Sequence, residues 1–398
     1  MSPNFPPPAG SSAVLPRPNP GRMVFTAQSP AAAPASAPTA EPLLLPAGAY
    51  GELQSLLAAA LVRPADAAGR LQRWLGALPD GARLPALWAS AMLQRLAPSA
   101  GAPGPALAAP QAVQAGSLEA AAHGTAAALL ARLVPADGGE LRLLLLGPGT
   151  AGTAAAVLEL LRAAGRPLPG RVAVYAAEAD PAALLAGERA LQRAGTACGL
   201  PVRFHALPLH GCALPAAWPA ELSAGSGTLL AYAACGLPGA GLSGFTPQAE
   251  QLAAVGALRP RALVLSAPDA DFAAGGPLGR FEAAWPYYEA LFRWLGDRLL
   301  PAGVRSGLHA RYGAGLASVL GEAASPDGAQ ASRALFVRTA EWIRRLQAAG
   351  YRPAPIPPGA GLGSPAADGL RVEPHPWHYG LSYAGVNLQS VLCAIPAS

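Results

Sequence analysis

The stretch LLLLGPGTAGTAAAVLELL, residues 143–161, runs from a leucine strand into a glycine turn and out into a helical pattern. The strand ends in Gly147-Pro148-Gly149-Thr150-Ala151-Gly152 and the helix begins at once, near 152–164. This is G-x-G-x-x-G in the strand–turn–helix context that gives the spacing meaning. Glycines let a backbone turn tightly and approach a ligand closely. The helix start adds unpaired amides and the positive end of a dipole. Gly147, Gly149, Thr150 and Gly152 are therefore read as ligand-binding positions.

The next segment outward is AVYAAEADPAALLAGERAL, residues 173–191. Its strand ends at Glu178, followed by Ala179, Asp180-Pro181 and a helix. A carboxylate at that strand end can accept both hydroxyl hydrogens of a ribose. The plainer reading is a tight turn beside a solvated loop acid. From Gly147 to Glu178 the spacing is 31 residues, longer than the usual NAD arrangement, with RPLPG (166–170) as the extra loop.

Further short apolar runs alternate with helical stretches. VRFHAL (202–207), TLLAYAA (228–234) and RALVLSA (261–267) read as strands, with a helix near 247–255 between the last two. Two long helices come next, near 279–299 and 331–349. LRVEPHPW, LSYAG and LQSVLCAIP read as antiparallel strands closing one edge. Upstream, Leu71, Trp74, Leu75 and Leu78 make one helical stripe, and Trp88, Met92 and Leu96 a second. Another helix spans roughly Ser117 to Val134, with Ser117 as N-cap. The expected architecture is α/β: a Rossmann-like, doubly wound, mostly parallel sheet with an antiparallel C-terminal strand and an N-terminal helical cap. The expected divisions are a Pro/Ala-rich flexible leader over 1–46, the cap over 47–135 and the Rossmann-like domain over 136–398. Residues 1–46 hold 12 of the 44 prolines and only Arg17, Arg22 and Glu41 as charges, too little to assemble a core.

Composition sets the outer bounds. Of 398 residues 52% are hydrophobic and 13% charged, which excludes global disorder. The net charge is +5, and every one of the 28 basic residues is arginine. Without lysine there is no Schiff-base chemistry of the pyridoxal kind. The arginines are scattered, so a nucleic-acid groove is not indicated. Cys198, Cys212, Cys235 and Cys393 form no C-x-x-C pair, so neither a disulfide scaffold nor a zinc site is suggested. His375-Pro-Trp377-His378 lacks a cysteine partner at metal-site spacing. With no signal peptide and no long apolar run, no membrane association is expected, and the expected location is the cytoplasm. The heavy Ala, Arg, Gly and Pro usage looks like a GC-rich bacterial coding bias.

The E-A-D-P-A-A-L run resembles the segment after strand two of S-adenosylmethionine methyltransferases, where an acid holds the ribose. Three later segments extend the resemblance: ALRPRALVLSAPDADF (257–272), RFEAAWPYYEALFRWLGD (280–297) and SRALFVRTAEWIRRLQAAGYRPAPI (332–356). In this order they resemble the GRAS family. The early helices look like that family's first leucine-rich region, and the likeness runs over about 50–398. It implies a Rossmann-type methyltransferase-like fold with a helical cap. Plant members of the family act as transcriptional regulators, and bacterial members look like small-molecule methyltransferases. The chain departs from these patterns at Leu146, where many methyltransferases carry an acid. It departs again at Ala267, where the family often has one, with Asp269 and Asp271 slightly downstream.

The resemblance leads one to expect S-adenosylmethionine as cofactor and a small-molecule substrate. Substrate-side candidates sit where strands end: Asp269 and Asp271 after strand five, Tyr287 and Tyr288 on the next helix, His205 and His210 flanking the end of strand three. Each has a structural alternative. Phe281, Trp285, Tyr288, Leu291, Phe292 and Leu295 trace a helical core stripe, and the two aspartates suit loop caps. Two rival functions remain: a GRAS-type binding module working through protein contacts, with the cap as the surface for protein partners, and an NAD(P)-dependent oxidoreductase.

Overall fold

The leucine run is a strand buried on both faces. The structure, a computed structural model, describes residues 40–96, 117–209, 214, 218–234, 248–272, 275–320, 337–356 and 369–397. β1 (Glu140–Leu146) is buried from Leu141 to Leu146. Side chains alternate across a strand. Leu143 and Leu145 accordingly enter one core cluster, and Leu144 and Leu146 the other. Arg142 lies in the same buried run, and its guanidinium donates to the carbonyls of Leu222 at 2.7 Å and Gly227 at 2.6 Å.

β1 pairs in parallel with β2 (Arg171–Glu178) and β4 (Thr228–Ala233). β2 pairs with β3 (Val202–Pro208), and β4 with β5 (Ala262–Pro268), again in parallel. Three antiparallel strands extend the sheet beyond β5: β9 (Val386–Pro396), β8 (His378–Tyr383) and β7 (Arg371–Pro374). The order is β3-β2-β1-β4-β5-β9-β8-β7, with β6 (Tyr351–Pro353) paired to the far end of β9. This is the doubly wound, mostly parallel sheet with an antiparallel C-terminal strand that the sequence led one to expect. The β8–β9 hairpin turns through Ala384 (φ 49°) and Gly385 (φ 80°), the two positive values a tight two-residue turn requires.

Helices cover both faces. On one side lie α4 (Leu118–Leu133), α5 (Thr153–Ala163), α6 (Pro181–Cys198) and α9 (Pro277–Asp297); on the other, α7 (Ala220–Ala224), α8 (Gln248–Ala257) and α11 (Thr339–Ala348). Ser117 caps α4, its Oγ accepting from the Ala120 amide at 3.2 Å. Asp180 caps α6 ahead of Pro181 at the first helical position.

The cap consists of α1 (Ala49–Val62), α2 (Pro64–Gly76) and α3 (Arg83–Leu96), packed with α10 (Ala302–Leu320). Leu71, Trp88 and Met92 from the expected stripes are buried. So is the whole α9 stripe from Phe281 to Leu295. Trp88 meets Phe281 edge-on, centroids 4.9 Å apart at 82°. Such a pair adds about 0.5–1.5 kcal/mol beyond its buried area. Cap and sheet helices share one core.

Four features differ from the sequence reading, the first being that α4, which falls inside the cap expected over 47–135, packs on the sheet beside α5. α10 was not foreseen, and within the described residues the helix expected over 331–349 occupies Thr339–Ala348. The segment read as a leader also ends inside the fold. Glu41 accepts from Arg83 at 3.0 Å and from Arg305 at 2.9 Å, while its amide donates to the Gly296 carbonyl at 2.8 Å.

Candidate functional site

The glycine turn sits at the carboxyl end of β1, and its glycines answer to different demands. Gly147 has φ +100°, and a Cβ there would stand 2.9 Å from the Ala234 carbonyl oxygen. Its amide donates to the Ala177 carbonyl at 3.1 Å, which ties the turn to β2. Gly149 is left-handed at φ +76°, and a Cβ there would stand 3.0 Å from His123 Nε2. The chain then makes a 3-10 turn, Thr150–Gly152, before α5 starts at Thr153. The buried Thr150 hydroxyl closes the turn by donating to the Gly147 carbonyl at 2.9 Å. Gly152 has φ −76° and nothing within 4 Å of a Cβ, so the protein itself requires no glycine there. The turn thus leaves open space beside Gly152.

Glu178 reaches this turn from the end of β2. It is 4% exposed, not a solvated loop acid. Its Oε2 accepts from the Gly149 amide at 2.7 Å. Its Oε1 accepts from the Ala179 and Asp180 amides at 2.8 and 3.1 Å. Burial pushes its pKa above the ordinary value, although the three amide bonds pull the other way. A carboxylate offers about four lone-pair positions. One on Oε2 therefore remains, room for one ribose hydroxyl where the sequence reading had the carboxylate accept both. Asp180 Oδ1 accepts from the Ala182 amide at 2.9 Å and serves as a helix cap.

Sequence reasoning missed His123, a lone imidazole in an alanine-rich helix. From α4 its Nδ1 meets the Tyr232 hydroxyl on β4 at 2.8 Å. The Tyr232 hydroxyl lies 3.0 Å from Ser266 Oγ on β5. Burial pushes the ring's pKa down to about 4, with the neighbouring Pro148 backbone acting the other way. His123 is thus a neutral imidazole at neutral pH, wedged between the turn and the ends of two strands.

The substrate-side candidates separate. Asp269 accepts from the Thr339 amide at 2.7 Å and hydroxyl at 3.0 Å, and from Asn387 Nδ2 at 2.9 Å. It caps the start of α11, a helix distant in sequence, where its structural alternative was a loop cap. Asp271 lies nearby and is partly exposed. Tyr287 is buried, its ring edge-on to Phe272 at 5.8 Å, and Tyr288 is buried beside it. His205 is not at the end of β3 but in its middle, stacked on Tyr175 with centroids 4.5 Å apart at 7°. That stack forms part of the lining of a cavity of about 530 Å³ on the side away from the glycine turn. His210 lies outside the described residues. His375 and His378 stack on each other at 4.4 Å. Among the described residues no group of three or more His, Cys, Asp or Glu is placed to hold a metal. Leu146 and Ala267 are fully buried at the ends of β1 and β5.

A glycine turn after β1, an acid at the end of β2 and an antiparallel strand beside β5 define a Rossmann-like fold of the methyltransferase type, here carrying a helical cap. The chain is similar in fold to the rice (Oryza sativa) protein SCL7, a GRAS family member. The TM-score is 0.67 at 20% identity, over 87% of this chain and 99% of that one. The structural likeness agrees with the GRAS resemblance of the sequence. A COG1565 superfamily protein from Burkholderia thailandensis bound to S-adenosyl-homocysteine also aligns, with a TM-score of 0.25 and 15% identity over 57% of this chain and 65% of that one. No family profile and no curated protein matches the chain. Among the described residues no helix is long and apolar enough to cross a membrane.

Proposed function

We propose that this protein is an S-adenosylmethionine-dependent methyltransferase acting on a small molecule in the cytoplasm. The observation that carries the reading is the turn after β1. Gly147 and Gly149 are held at positive φ, and the Glu178 carboxylate from β2 binds the Gly149 amide. A ribose-bearing cofactor suits these residues in two respects. Glu178 Oε2 keeps one acceptor position for a hydroxyl, and the open face of Gly152 leaves room for the ligand. When bound, such a cofactor supplies a methyl group on a sulfonium, open to in-line displacement. The protein's part is to hold the acceptor in line and to keep the reacting centre from water. The low charge of the chain and the cap packed against the sheet fit an enclosed apolar site.

The rival reading, a GRAS-type module acting through protein contacts on the cap, draws on Leu146 and Ala267. Both are buried apolar residues where the resemblance leads one to look for acids. Titration calorimetry with S-adenosylmethionine, its demethylated product and NAD decides between them. Binding of the first two and not the third is expected. Binding of none, or of all three alike, would overturn the methyltransferase reading.

A further inference from the structure

His123 stands between the cap and the glycine turn, and no part of the proposed methyl transfer uses it. Its two ring nitrogens have different partners. Proline has no N–H, so the Pro148 backbone group that meets the ring is the carbonyl, which only accepts. Nε2 is the nitrogen facing the turn, 3.0 Å from the place a Gly149 Cβ would take. With only an acceptor on that side, Nε2 is assigned the proton, facing the Pro148 carbonyl. Nδ1 is left as the acceptor, and the Tyr232 hydroxyl donates to it across 2.8 Å. The Tyr232 oxygen then accepts from Ser266 Oγ at 3.0 Å. The tautomer is thus set by the acceptor on the turn, and the Tyr232 and Ser266 hydroxyls, each able to donate or accept, orient to suit it.

The same helix is tied to the cap one turn earlier. The Leu118 amide donates to the Tyr312 hydroxyl of α10 at 2.8 Å. Tyr312 in turn donates to Glu119 Oε2 at 2.9 Å, and Arg311 pairs with Glu119 at 3.4 Å. From the other side of the turn, Gly149 gives its amide to Glu178. The Pro148–Gly149 corner is therefore gripped from two directions, by an acid of the sheet and by an imidazole of the cap-bound helix.

We infer that His123 is a positioning residue for the glycine turn, holding it in its ligand-ready shape and coupling that shape to the cap. The inference deepens the methyltransferase reading and rests on it for the identity of the ligand, but not for the state of the turn. Hydrogen–deuterium exchange on the ligand-free full-length protein tests it directly. In His123→Ala, exchange over residues 147–152 should rise about tenfold or more, with β1 and the far end of α4 unchanged. His123→Gln, which keeps a donor near the Nε2 position, should restore most of the protection. Tyr232→Phe, which removes only the hydroxyl, should give an intermediate rise and carries the test should His123→Ala fail to fold. Unchanged exchange at the turn in the folded variants would overturn the inference. So would a rise spread evenly over the fold, or no rescue by glutamine. Titration with S-adenosylmethionine is the second readout, with affinity about tenfold weaker in His123→Ala. A wild-type protein that binds no S-adenosylmethionine would refute the proposed function, while the exchange result would still decide the role of His123.

Discussion

Replacing each glycine of the turn by alanine should produce three different outcomes from one motif. Gly147→Ala places a Cβ 2.9 Å from the Ala234 carbonyl oxygen at φ +100°. A non-glycine residue in such a region costs about 1–3 kcal/mol. Relieving the contact costs a similar ~1–3 kcal/mol of displaced backbone. The carbonyl has little freedom to retreat, because the Ala234 amide is itself held by the Leu146 carbonyl at 2.9 Å. The expected loss is therefore ~4 kcal/mol. Gly149→Ala meets only a side chain, His123, and adopts a left-handed conformation that costs about 1–2 kcal/mol. Gly152→Ala has open space and φ −76°. It should be neutral, or stabilising by up to ~1 kcal/mol through the unfolded chain. Chemical denaturation followed by circular dichroism measures all three. Should Gly152→Ala cost as much as Gly147→Ala, or Gly147→Ala cost nothing, the turn does not have this geometry. Calorimetry on Gly152→Ala adds the functional half. A methyl group in that open space should weaken S-adenosylmethionine binding without weakening the fold.

Glu178→Ala should lower stability by about 1–2 kcal/mol, since three charge-assisted amide bonds are lost but the freed amides near the surface regain water. Because burial raises its folded pKa, ionised Glu178 stabilises the fold less than protonated Glu178 does. The deficit of Glu178→Ala against wild type should therefore widen on acidification from neutral pH through the folded pKa towards about pH 4, as pH-dependent melts would show. Glu41→Ala leaves Arg305, 2% exposed, without its carboxylate, and should cost about 1–3 kcal/mol after allowance for the half-exposed glutamate. The Glu41 pKa is lowered, chiefly by the Arg305 hydrogen bond, so that contribution is present above the ordinary carboxylate range and fades as pH falls below about 4; denaturation at pH 7 and pH 3 would check it. Deleting residues 1–46 should cost as much as Glu41→Ala, and a deletion ending at residue 39 should spare that loss, as paired thermal melts would reveal. Asp269→Ala should lose about 2–3 kcal/mol of stability by uncapping α11 while leaving S-adenosylmethionine affinity intact; lost affinity in a protein of normal stability would return it to the site.

The features legible in the sequence were local. The β1 leucines, the glycine turn, the Ser117 and Asp180 caps and the α9 stripe are each written within a few neighbouring residues, and each stands where that pattern puts it. Those that stayed hidden depend on partners distant in the chain. His123 has no neighbour in sequence to mark it, because the groups that meet its ring come from positions 149 and 232. Alternation placed Glu178 at a strand end but could not show that the Gly149 amide turns onto it. α10 carries four glycines, which depress intrinsic helix preference. It is held by packing instead, with Gly313 letting Leu87 of α3 approach.

The placement of β9 bears on how the chain acquires its shape during synthesis. β5 meets β4 along one edge, but its other edge is filled by β9, with Leu263 opposite Ala394. Until residues 386–396 leave the ribosome, the nascent sheet exposes the rim of a buried hydrophobic strand, a ready template for pairing with another chain. Parallel strands and distant pairings already form slowly. Completion of the sheet therefore waits on β9, which is made after the other described strands, and folding of this protein should depend on chaperone shelter more than its helical content suggests.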